Sequence, residues 1–554
     1  MDYQTLQFPY RRHADQDAGT PPRHPVVVVG AGPVGLALAI DLAQRQVPVV
    51  LLDNDHQLSS GSRAICFAKR TLEIFDRLGC GQPMVDKGVS WNVGRVFLRD
   101  EPVYAFDLLP ETGHERPAFI NLQQYYVEGL LAERAAQLPL IDLRWDNAVQ
   151  AVEQHADHVL LTVATPEGPY QLRADWLVAC DGSRSTVREL IGQESTGRVF
   201  KDRFLIADVK ITGRQQPPER WFWFDPPFHP GQSVLLHRQP DDVWRIDFQL
   251  GWDADPEAAK RPENIIPLVK KLLGDDVPFT LEWASVYTFG CRRMASFCHG
   301  RVLFAGDSAH GVSPFGARGA NSGVQDADNL GWKLAAVLQG QVVGDAAQAL
   351  VASYGREREY AADENILNST RATDFITPKS AVSRLFRDAV LQLARSQPFA
   401  RRLVNSGRLS VPATLDGSPL NTPDVDDFQG LMRPGAVAAD APLRGVEVAE
   451  APLRGAVGGW LLRALSSGFT LLVFGEAPAW AHDLPGIALL QVTAGEAHAL
   501  AWQRYDAQPG TAYLIRPDQH VCARWREPSA AAVLAAQGRA LGRRVDPQTE
   551  RSAA

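Results

Sequence analysis

The chain has 554 residues, of which 45% are hydrophobic, 22% charged and 8% aromatic. This composition is that of an ordinary globular protein and excludes disordered, collagen-like and fibrous classes. Lys and Arg number 56 against 64 Asp and Glu, so the net charge is −8 and the basic surplus of a nucleic-acid-binding protein is missing. We therefore expect no nucleic-acid partner, and the length predicts about three or four domains.

The cysteine content and the hydropathy pattern exclude further classes. The six cysteines form no CxxC pair, which argues against a disulfide framework and against a zinc site. No apolar run approaches the roughly 18 residues that a membrane-spanning helix needs, and the first residues of the chain are polar. We expect a cytoplasmic protein with no bound metal and no membrane contact.

The first motif with chemical meaning is a glycine-rich turn between a predicted buried strand, 26–29, and a predicted helix, 36–46. The turn consists of Gly30, Ala31, Gly32, Pro33, Val34 and Gly35. In such a unit the first glycine permits the tight turn, the second lets a pyrophosphate approach the backbone, and the third lets helix and strand pack closely. A second strand, 49–52, ends at Asp53, which is placed to accept hydrogen bonds from a ribose. The unit predicts dinucleotide binding.

Two further strands each lead into a short polar turn. Strand 176–180 precedes Asp181 and Gly182, and the simplest interpretation of this segment alone is a strand followed by an N-capped helix. Strand 302–305 precedes Gly306 and Asp307, and a glycine-rich approach then leads to a helical pattern that begins at Asn321. Such an approach suits close backbone contact with a flat ligand.

In this order and spacing, the three motifs resemble those of the flavoprotein aromatic hydroxylases, the family of para-hydroxybenzoate hydroxylase, phenol hydroxylase and 3-(3-hydroxyphenyl)propanoate hydroxylase. The resemblance covers most of residues 25–370. It implies an α/β fold with a Rossmann-like FAD-binding domain of the glutathione-reductase type, tightly bound FAD, and NADH or NADPH as a transient co-substrate. The residues expected to bind FAD are Gly30, Gly32, Pro33, Val34, Gly35, Asp53, Asn54, Arg63, Gln124, Asp181, Gly182, Arg188, Gly306, Asp307, Pro314, Gly319, Ala320 and Asn321.

The resemblance gives specific roles to the residues of the third motif. It places Asp307 on the ribityl chain, Pro314 against the flavin ring, and the backbone amides of Ala320 and Asn321 at the flavin C2 carbonyl. The positive end of the following helix would then favour negative charge on the reduced flavin. The second motif, with Ser185 and Arg188, would lie near the flavin diphosphate and the path of the nicotinamide.

Two isolated residues receive roles from the same resemblance. Arg63, in the segment 62–64, resembles an arginine that reaches the FAD diphosphate, where a guanidinium can bind phosphate oxygens in a bidentate manner. The alternative is a solvated surface charge. Gln124 stands where the family has a glutamine on the flavin side of a helix start, and the alternative is a simple helix N-terminal residue.

The segment 201–289 has the pattern of short strands separated by turns, which predicts an antiparallel β-sheet over the flavin. In its strand 243–250, Arg245 and Asp247 point to one side and the apolar residues to the other. The polar row could face the substrate cavity or water, and we favour the cavity. The candidate catalytic residues are Arg245 and Asp247, His237 on the neighbouring strand, and Pro314.

The C-terminal part resembles the thioredoxin-like domain of the phenol hydroxylase branch, with the RPDQHV segment at 516–521. Cys522 is its only cysteine, which excludes dithiol chemistry and predicts a role in packing or subunit contact. We expect a homodimer. The predicted divisions are a polar arm (1–24), a first FAD-binding part (25–200), a β-sheet substrate domain (201–289), a second FAD-binding part (290–370), a helical segment and linker (371–455) and the thioredoxin-like domain (456–554).

The expected reaction is hydroxylation of a small phenol, ortho or para to its hydroxyl group, with NAD(P)H and O2 and through a C4a-hydroperoxyflavin. The sequence has one nucleotide-binding fingerprint, so the pyridine nucleotide has no Rossmann domain of its own. One alternative is a flavin-dependent halogenase, suggested by the tryptophans of segment 221–226, although Asp225 replaces the isoleucine of that motif. A second alternative is a non-catalytic flavin redox sensor or scaffold.

Overall fold

The computed structural model describes residues 6–59, 61, 63–211, 213, 216–404, 409–443 and 459–544. The β-strands of these residues are β1 (Arg23–Val29), β2 (Val49–Leu52), β3 (Cys66–Ala68), β4 (Val89–Trp91), β5 (Val93–Leu98), β6 (Glu101–Asp107), β7 (Phe119–Asn121), β8 (Ile141–Arg144), β9 (Ala148–Gln154), β10 (Val159–Ala164), β11 (Tyr170–Ala179), β12 (Ser195–Lys210), β13 (Arg220–Phe224), β14 (Ser233–Arg238), β15 (Val243–Leu250), β16 (Thr280–Met294), β17 (Cys298–His299), β18 (Val302–Phe304), β19 (His310–Gly311), β20 (Phe469–Phe474), β21 (Ile487–Val492), β22 (Ala512–Ile515) and β23 (Val521–Trp525). The α-helices are α1 (Pro33–Gln44), α2 (Lys69–Leu78), α3 (Gly81–Lys87), α4 (Gln124–Ala136), α5 (Thr186–Leu190), α6 (Pro256–Ala259), α7 (Pro262–Leu273), α8 (Gly319–Leu338), α9 (Gly344–Ile376), α10 (Ala381–Ala394), α11 (Pro398–Val404), α12 (Leu461–Ala464), α13 (Ala499–Arg504) and α14 (Ala530–Ala540).

The first sheet carries the three sequence motifs. Its strand order is β17-β18-β11-β1-β2-β8, with β10 and β9 attached through β11, and the pairs from β18 to β8 are all parallel. The four valines of β1 are buried because strands flank them on both sides and the sheet is covered on its faces. Because the carboxyl ends of parallel strands meet at one edge, the turns after β1, β11 and β18 come together there.

The second sheet is larger than the predicted 201–289 segment. Its order is β19-β16-β12-β15-β14-β13-β5-β6, so two strands from earlier in the chain, β5 and β6, form one end of it. Its pairs are antiparallel except for β13 with β5, which run parallel. One face packs under α7, where Ile265 and Val269 join the hydrophobic core of the sheet. The other face is directed towards the FAD-binding segments.

The C-terminal residues form a four-stranded mixed sheet in the order β21-β20-β22-β23. β20 pairs with β21 in parallel and with β22 antiparallel, and β22 pairs antiparallel with β23. The thioredoxin-like assignment of this part stays a prediction, and residues 444–458 of the predicted linker lie outside the described residues. Among the helices that the structure describes, none combines the length and the apolar character that crossing a bilayer requires.

A fully buried charge cluster joins the C-terminal sheet to the helices of the FAD-binding part. We use this name for Lys333, Glu357, Arg516 and Asp518. Glu357 accepts from Lys333 at 2.7 Å and from Arg516 at 2.6 Å, while Arg516 also binds Asp518 at 2.5 Å. Two cations and two anions balance each other, and these cations hold the pKa of Glu357 well below its usual range despite its burial. The RPDQHV segment is therefore one of the connections between the two parts of the molecule, beside the hydrophobic core that α8 shares with the C-terminal sheet.

Removal of one member of the charge cluster is expected to destabilise the protein strongly. Arg516→Ala leaves Glu357 and Asp518 buried with fewer partners, and breaking a buried pair in this way costs about 3–5 kcal/mol. The matched control is Arg433→Ala, which breaks the exposed Arg433–Asp416 pair and should cost less than about 1 kcal/mol. Urea unfolding followed by circular dichroism measures both, and equal effects of the two variants would contradict the assignment.

Candidate active site

The glycine-rich turn after β1 is closely packed at two positions and open at a third. A Cβ on Gly30, whose φ is +105°, would lie 2.5 Å from the Cys180 carbonyl oxygen, and a Cβ on Gly35 would lie 1.9 Å from the Gly30 carbonyl oxygen. A Cβ on Gly32 would meet no atom within 4 Å. Two glycines are thus required by the fold itself, whereas Gly32 faces free space into which a pyrophosphate fits.

Asp53 supports this turn from the end of β2. Its Oδ2 accepts from the Ala31 amide at 2.5 Å and its Oδ1 from the Asp55 amide at 2.9 Å. Burial raises the pKa of Asp53, and the two amide donors act in the opposite direction. Each carboxylate oxygen retains a lone pair for a ribose hydroxyl. Asn54 lies next to it, exposed at the start of the turn.

The turn after β11 contains the helix cap expected from the simplest interpretation of its sequence. Ser185 Oγ accepts from the Arg188 amide, and Asp181 Oδ2 accepts from the Val187 amide, both at 3.0 Å. Asp181 Oδ1 is buried and has no hydrogen-bond partner among the described residues. The Arg188 guanidinium donates to the Ser308 carbonyl at 2.7 Å, so this residue ties the second motif to the third. Gly182 has a φ of +78° and adjoins free space.

Asp307, in the turn after β18, is exposed at the sheet edge where the three turns meet, and we call the space at this edge the cleft. The surrounding protein raises the pKa of its carboxyl, while His310 and Arg63 lower it. Behind it, the buried carboxylate of Asp326 accepts from the Gly306 amide at 2.9 Å, contacts His310 Nε2 at 2.7 Å and accepts from Arg358 Nε at 2.6 Å. Sequence reasoning missed this support. The signal for it was the pair of acids, Asp326 and Asp328, within the apolar pattern of α8.

The start of α8 presents free backbone amides to the same cleft. Pro314 is exposed there, and Arg318, the residue before the helix, makes no side-chain cap. The Asn321 side chain accepts from the Ala68 amide at 2.8 Å and donates to the Cys66 carbonyl at 2.8 Å. Asn321 therefore holds the helix start against β3, and the positive end of α8, with the partly exposed Gly319 and Ala320, is left for an anionic or polar ligand group.

The Gln124 side chain binds the backbone of the residue that follows Arg63. Its Oε1 accepts from the Ala64 amide at 3.0 Å and its Nε2 donates to Glu128 at 2.7 Å. The Arg63 side chain is exposed, and its charge reaches Asp307 and Tyr287. Ser62, the preceding residue of the predicted arginine segment, lies outside the described residues. The structure thus makes Gln124 a support of the segment that carries Arg63.

The polar row of β15 faces the interior of the molecule. Arg245 Nε donates to Asp247 Oδ1 at 2.8 Å, and Arg245 Nη1 donates to the Arg63 carbonyl at 3.0 Å. The alternating residues Ile246 and Phe248 belong to the core under α7. Of the two orientations that the sequence left open, the structure has the one in which Arg245 and Asp247 point towards the FAD-binding segments.

His237 lies beside Arg245 on β14, as the strand register requires. It is buried, and its pKa is well below the usual value because of that burial and the charges of Arg220 and Arg245. Its Nδ1 has no hydrogen-bond partner within the part of the chain that the structure describes. His237 is therefore a neutral imidazole at the edge of the polar row, which suits hydrogen bonding better than proton uptake.

Three residues on or beside this face were not predicted from the sequence. Asp208 stands opposite Arg245 in the sheet and accepts from Gln239 Nε2 at 3.2 Å, and burial raises its pKa to about 7. Cys66 donates to Asn121 at 3.2 Å, and burial raises the pKa of its thiol to about 11. Arg220 is buried at the start of β13. A single acid within the apolar strand 204–211 was the signal for Asp208.

The residues at this edge fit a flavin dinucleotide. The open side of Gly32, the partnerless oxygen of Asp181, the cleft-facing Asp307 and the uncapped start of α8 lie on the loops that the parallel sheet brings together. They supply, in the order of the chain, a place for phosphate, polar groups for the sugar chain and donors for a flat polar ring.

The packing around the glycine turn predicts different effects for two alanine variants. Gly35→Ala forces the backbone apart and should lower stability by about 1–3 kcal/mol as overpacking does. Gly32→Ala should leave the unfolding free energy within about 0.5 kcal/mol of the unmodified protein yet weaken FAD binding by at least about tenfold. Thermal unfolding and FAD titration of the apoprotein measure both, with Gly19→Ala as the control in open space. Normal FAD binding by Gly32→Ala would contradict the phosphate assignment.

The raised pKa of Asp208 predicts a pH-dependent stability. Its folded pKa of about 7 lies above the unfolded value near 4, so between these values the folded state holds a proton that the unfolded state releases. The stability contributed by this group therefore falls as pH rises through that window. Asp208→Asn should unfold at a temperature that depends less on pH between about 4 and 7 than that of the unmodified protein. The exposed Asp253→Asn serves as control, and parallel pH profiles of all three proteins would refute the assignment.

Comparisons with known proteins agree with this geometry. Residues 23–369 match the family described as FAD binding domain. A flavin-dependent monooxygenase of Mycobacteroides abscessus is 30% identical over 528 residues, which are 90% of this chain and 96% of that protein. A 3-(3-hydroxy-phenyl)propionate/3-hydroxycinnamic acid hydroxylase of Mycolicibacterium smegmatis is 29% identical over 387 residues, which are 68% of this chain and 66% of that protein.

A solved structure extends the comparison to the fold of nearly the whole chain. The flavin-dependent monooxygenase PieE, in complex with FAD and substrate, superposes with a TM-score of 0.77 at 20% identity, over 95% of this chain and 100% of that one. At 20% identity, this similarity supports a shared fold and nothing beyond it. The matched family covers more than half of the chain, and the Mycobacteroides abscessus relative matches the chain almost from end to end. The chain therefore belongs to the FAD-dependent flavoprotein monooxygenases of the aromatic hydroxylase family.

Proposed function

We propose that this protein hydroxylates a small phenolic compound, ortho or para to its hydroxyl group, with NADH or NADPH and O2 as co-substrates. The observation that carries the proposal is the hydrogen bond of 3.0 Å from Arg245 Nη1 to the Arg63 carbonyl. This bond joins the polar face of the second sheet to the segment expected to contact the cofactor. The sheet then covers the reacting end of the cleft with polar groups on its inner side.

FAD, when bound, takes up reducing equivalents and activates oxygen, which the side chains of a protein cannot do by themselves. The contribution of this chain is orientation, electrostatics and exclusion of water. The first turn of α8 offers amide donors and a partial positive charge to the flat ring, and Pro314 offers an apolar surface beside it. The second sheet, covered on its far face by α7, closes the cleft from the other side.

The polar row is suited to hold a phenol. Asp247 is fixed by Arg245 at 2.8 Å and can accept a hydrogen bond from the substrate hydroxyl. Increased electron density on the phenol oxygen activates the ring at its ortho and para positions, which is where we expect the new hydroxyl. We assign Arg245, Asp247 and the neutral His237 to substrate positioning. The printed name of the Mycolicibacterium smegmatis relative, a hydroxylase of hydroxyphenyl acids, supports the substrate class.

The two alternatives have weaker support. The tryptophans of the halogenase-like segment pack on the far face of the second sheet, where Trp223 stacks on Phe97 at 5.2 Å, so they lie away from the polar row. Chloride-dependent product formation would favour a halogenase. A redox sensor needs no row of substrate-positioning residues, and the absence of stimulation of NAD(P)H oxidation by any phenol would favour a sensor.

A homodimer stays a prediction that sedimentation equilibrium tests.

The proposal predicts that phenols accelerate NAD(P)H oxidation and gain one oxygen atom. Among a panel of phenols, at least one should speed anaerobic bleaching of the flavin by NADH or NADPH and give a product heavier by one oxygen in mass spectra. Asp307→Ala and Arg63→Ala should reduce FAD retention or its reduction by about tenfold or more, because each removes a group at the cofactor cleft. Full flavin occupancy with unchanged turnover in both variants would argue against the site.

A further inference from the structure

The segment 108–118, which joins β6 to β7, borders the cleft on the side of the second sheet. Leu108 and Leu109, at its start, pack against a small hydrophobic core that Ala317, near the start of α8, also joins. Phe106, just before the segment, packs against the same core and lines an aromatic cavity on the inner face of the second sheet. The core consists of Ala68, Trp91, Ala118, Phe119 and Leu409. Movement of the segment would therefore uncover both the wall of the cavity and the start of α8.

The middle of this segment is supported by the C-terminal part of the molecule. We use this name for residues 438–443 and 459–544, since 438–443 contribute to the core of the C-terminal sheet. Residues 110–115 contain no helix or strand, and their hydrogen bonds to other described segments all go to the C-terminal part. The next residue, Arg116, binds Asp76 of α2 with two bonds of 2.5 Å. The segment is thus fixed at its ends by the FAD-binding part and at its middle by the C-terminal part.

Arg504, the last residue of α13, makes the central contact with this segment. Its Nη1 donates to the Gly113 carbonyl at 2.6 Å and its Nη2 to the Thr112 carbonyl at 2.7 Å. The same Nη1 donates to the Asp440 carbonyl, so one guanidinium joins the backbones of the two parts. Nη2 also lies 3.0 Å from His114 Nε2, and burial and the charges of Lys69 and Arg504 lower the pKa of His114 to about 4. The His114 ring is therefore neutral and accepts from Arg504.

Three further contacts fit the segment closely to the C-terminal part. Arg463 Nε donates to both carboxylate oxygens of Glu115 at 2.7 Å, and the Glu115 amide donates to Asp440 Oδ2 at 3.1 Å. Gly113 has a φ of +77°, and a Cβ at this position would lie 2.2 Å from Leu500 Cδ2. A side chain at residue 113 would therefore push the segment away from the C-terminal part.

We propose that Arg504 is a positioning residue for the monooxygenase reaction, through which the C-terminal part holds the segment 108–118 closed over the cleft. The segment is then a lid whose closed position keeps water from the reacting end. In productive turnover, NAD(P)H supplies two electrons, one atom of O2 enters the phenol and the other leaves as water. When no atom is transferred to the phenol, the same two electrons and two protons convert O2 to hydrogen peroxide. The C-terminal part thus determines how much NAD(P)H oxidation yields product.

The first test measures opening of the lid in the FAD-loaded protein without substrate. Glutamyl endopeptidase cleaves after Glu115 once this residue leaves Arg463 and Asp440, and fragment masses identify the cut. Arg504→Ala should speed this cleavage by roughly tenfold or more, because the loss of several hydrogen bonds to a charged group raises the population of the open form. The matched control is Arg526→Ala, since Arg526 binds the carbonyls of Asp427 and Asp506 within the C-terminal part. The control should leave cleavage after Glu115 unchanged.

The second test measures coupling of NAD(P)H oxidation to hydroxylation and rests on the proposed function. With a phenol that the unmodified protein hydroxylates, Arg504→Ala should raise the hydrogen peroxide formed per NAD(P)H by at least about threefold. FAD content should stay unchanged, because Arg504 lies outside the cofactor cleft. Arg504→Lys keeps the charge but lacks the fork that binds two carbonyls, so its peroxide yield should be intermediate. Arg526→Ala should give the peroxide yield of the unmodified protein.

Equal cleavage rates or equal peroxide yields of Arg504→Ala and Arg526→Ala would overturn the proposal, because the contact would then serve stability alone. If Arg504→Ala does not fold, Gly113→Ala displaces the lid with Arg504 in place and should show the same two increases. Unchanged cleavage and peroxide yield in Gly113→Ala would also overturn the proposal. Absence of hydroxylation with every phenol would count against the proposed function, whereas cleavage after Glu115 would still show whether Arg504 holds the lid.

Discussion

The parallel pairing of β1, β11 and β18 is the constraint on which the site depends. It places the turns that follow these strands at one sheet edge, although 150 to 275 residues of sequence separate the first turn from the others. The packing there is tight: Gly35 has no room for a Cβ because the Gly30 carbonyl is in the way, and Gly30 adjoins the Cys180 carbonyl. Arg188 then ties the second turn to the third through the Ser308 carbonyl. The cleft is thus held by close backbone packing and by side chains, such as Arg188 and Asn321, that bind backbone groups.

Sequence reasoning located this edge because its signals are local. Four consecutive valines predict a strand buried on both faces, and β1 contains them, although it begins earlier, at Arg23. The orientation of the polar row on β15 was not accessible in the same way. Polar and apolar residues alternate along a strand in the same way whether the polar side faces a cavity or water. The orientation of β15 is settled only by the packing of Ile246 and Phe248 under α7. Arg220 was missed for a similar reason, since an arginine beside Glu219 at the start of a strand is typical of an exposed end.

Two groups of buried charged residues differ in how their charges are balanced. In the charge cluster, Lys333 and Arg516 face Glu357 and Asp518, and the balance of charges favours the ionised forms of these buried groups. Its neighbour Asn329 adds hydrogen bonds to Glu357 and Asp518 at 2.7 and 3.1 Å. On the second sheet Asp247 binds Arg245, and among the described residues Arg220 has no ion-pair partner but donates to the Phe315 carbonyl. The charge cluster is thus balanced by ion pairs, whereas the charge of Arg220 is met by a backbone carbonyl.

Charged groups lie on both sides of the cleft. The positive end of α8 and the Arg63 guanidinium lie on the cofactor side, while Arg220 and Arg245 lie on the sheet side. Asp307 and Asp247 offset part of this charge, one on each side. Positive charges beside the cleft favour anionic ligand groups. Because electrostatic interactions reach across the cleft, we expect loss of one cation on the sheet side to alter the environment of the cofactor side as well.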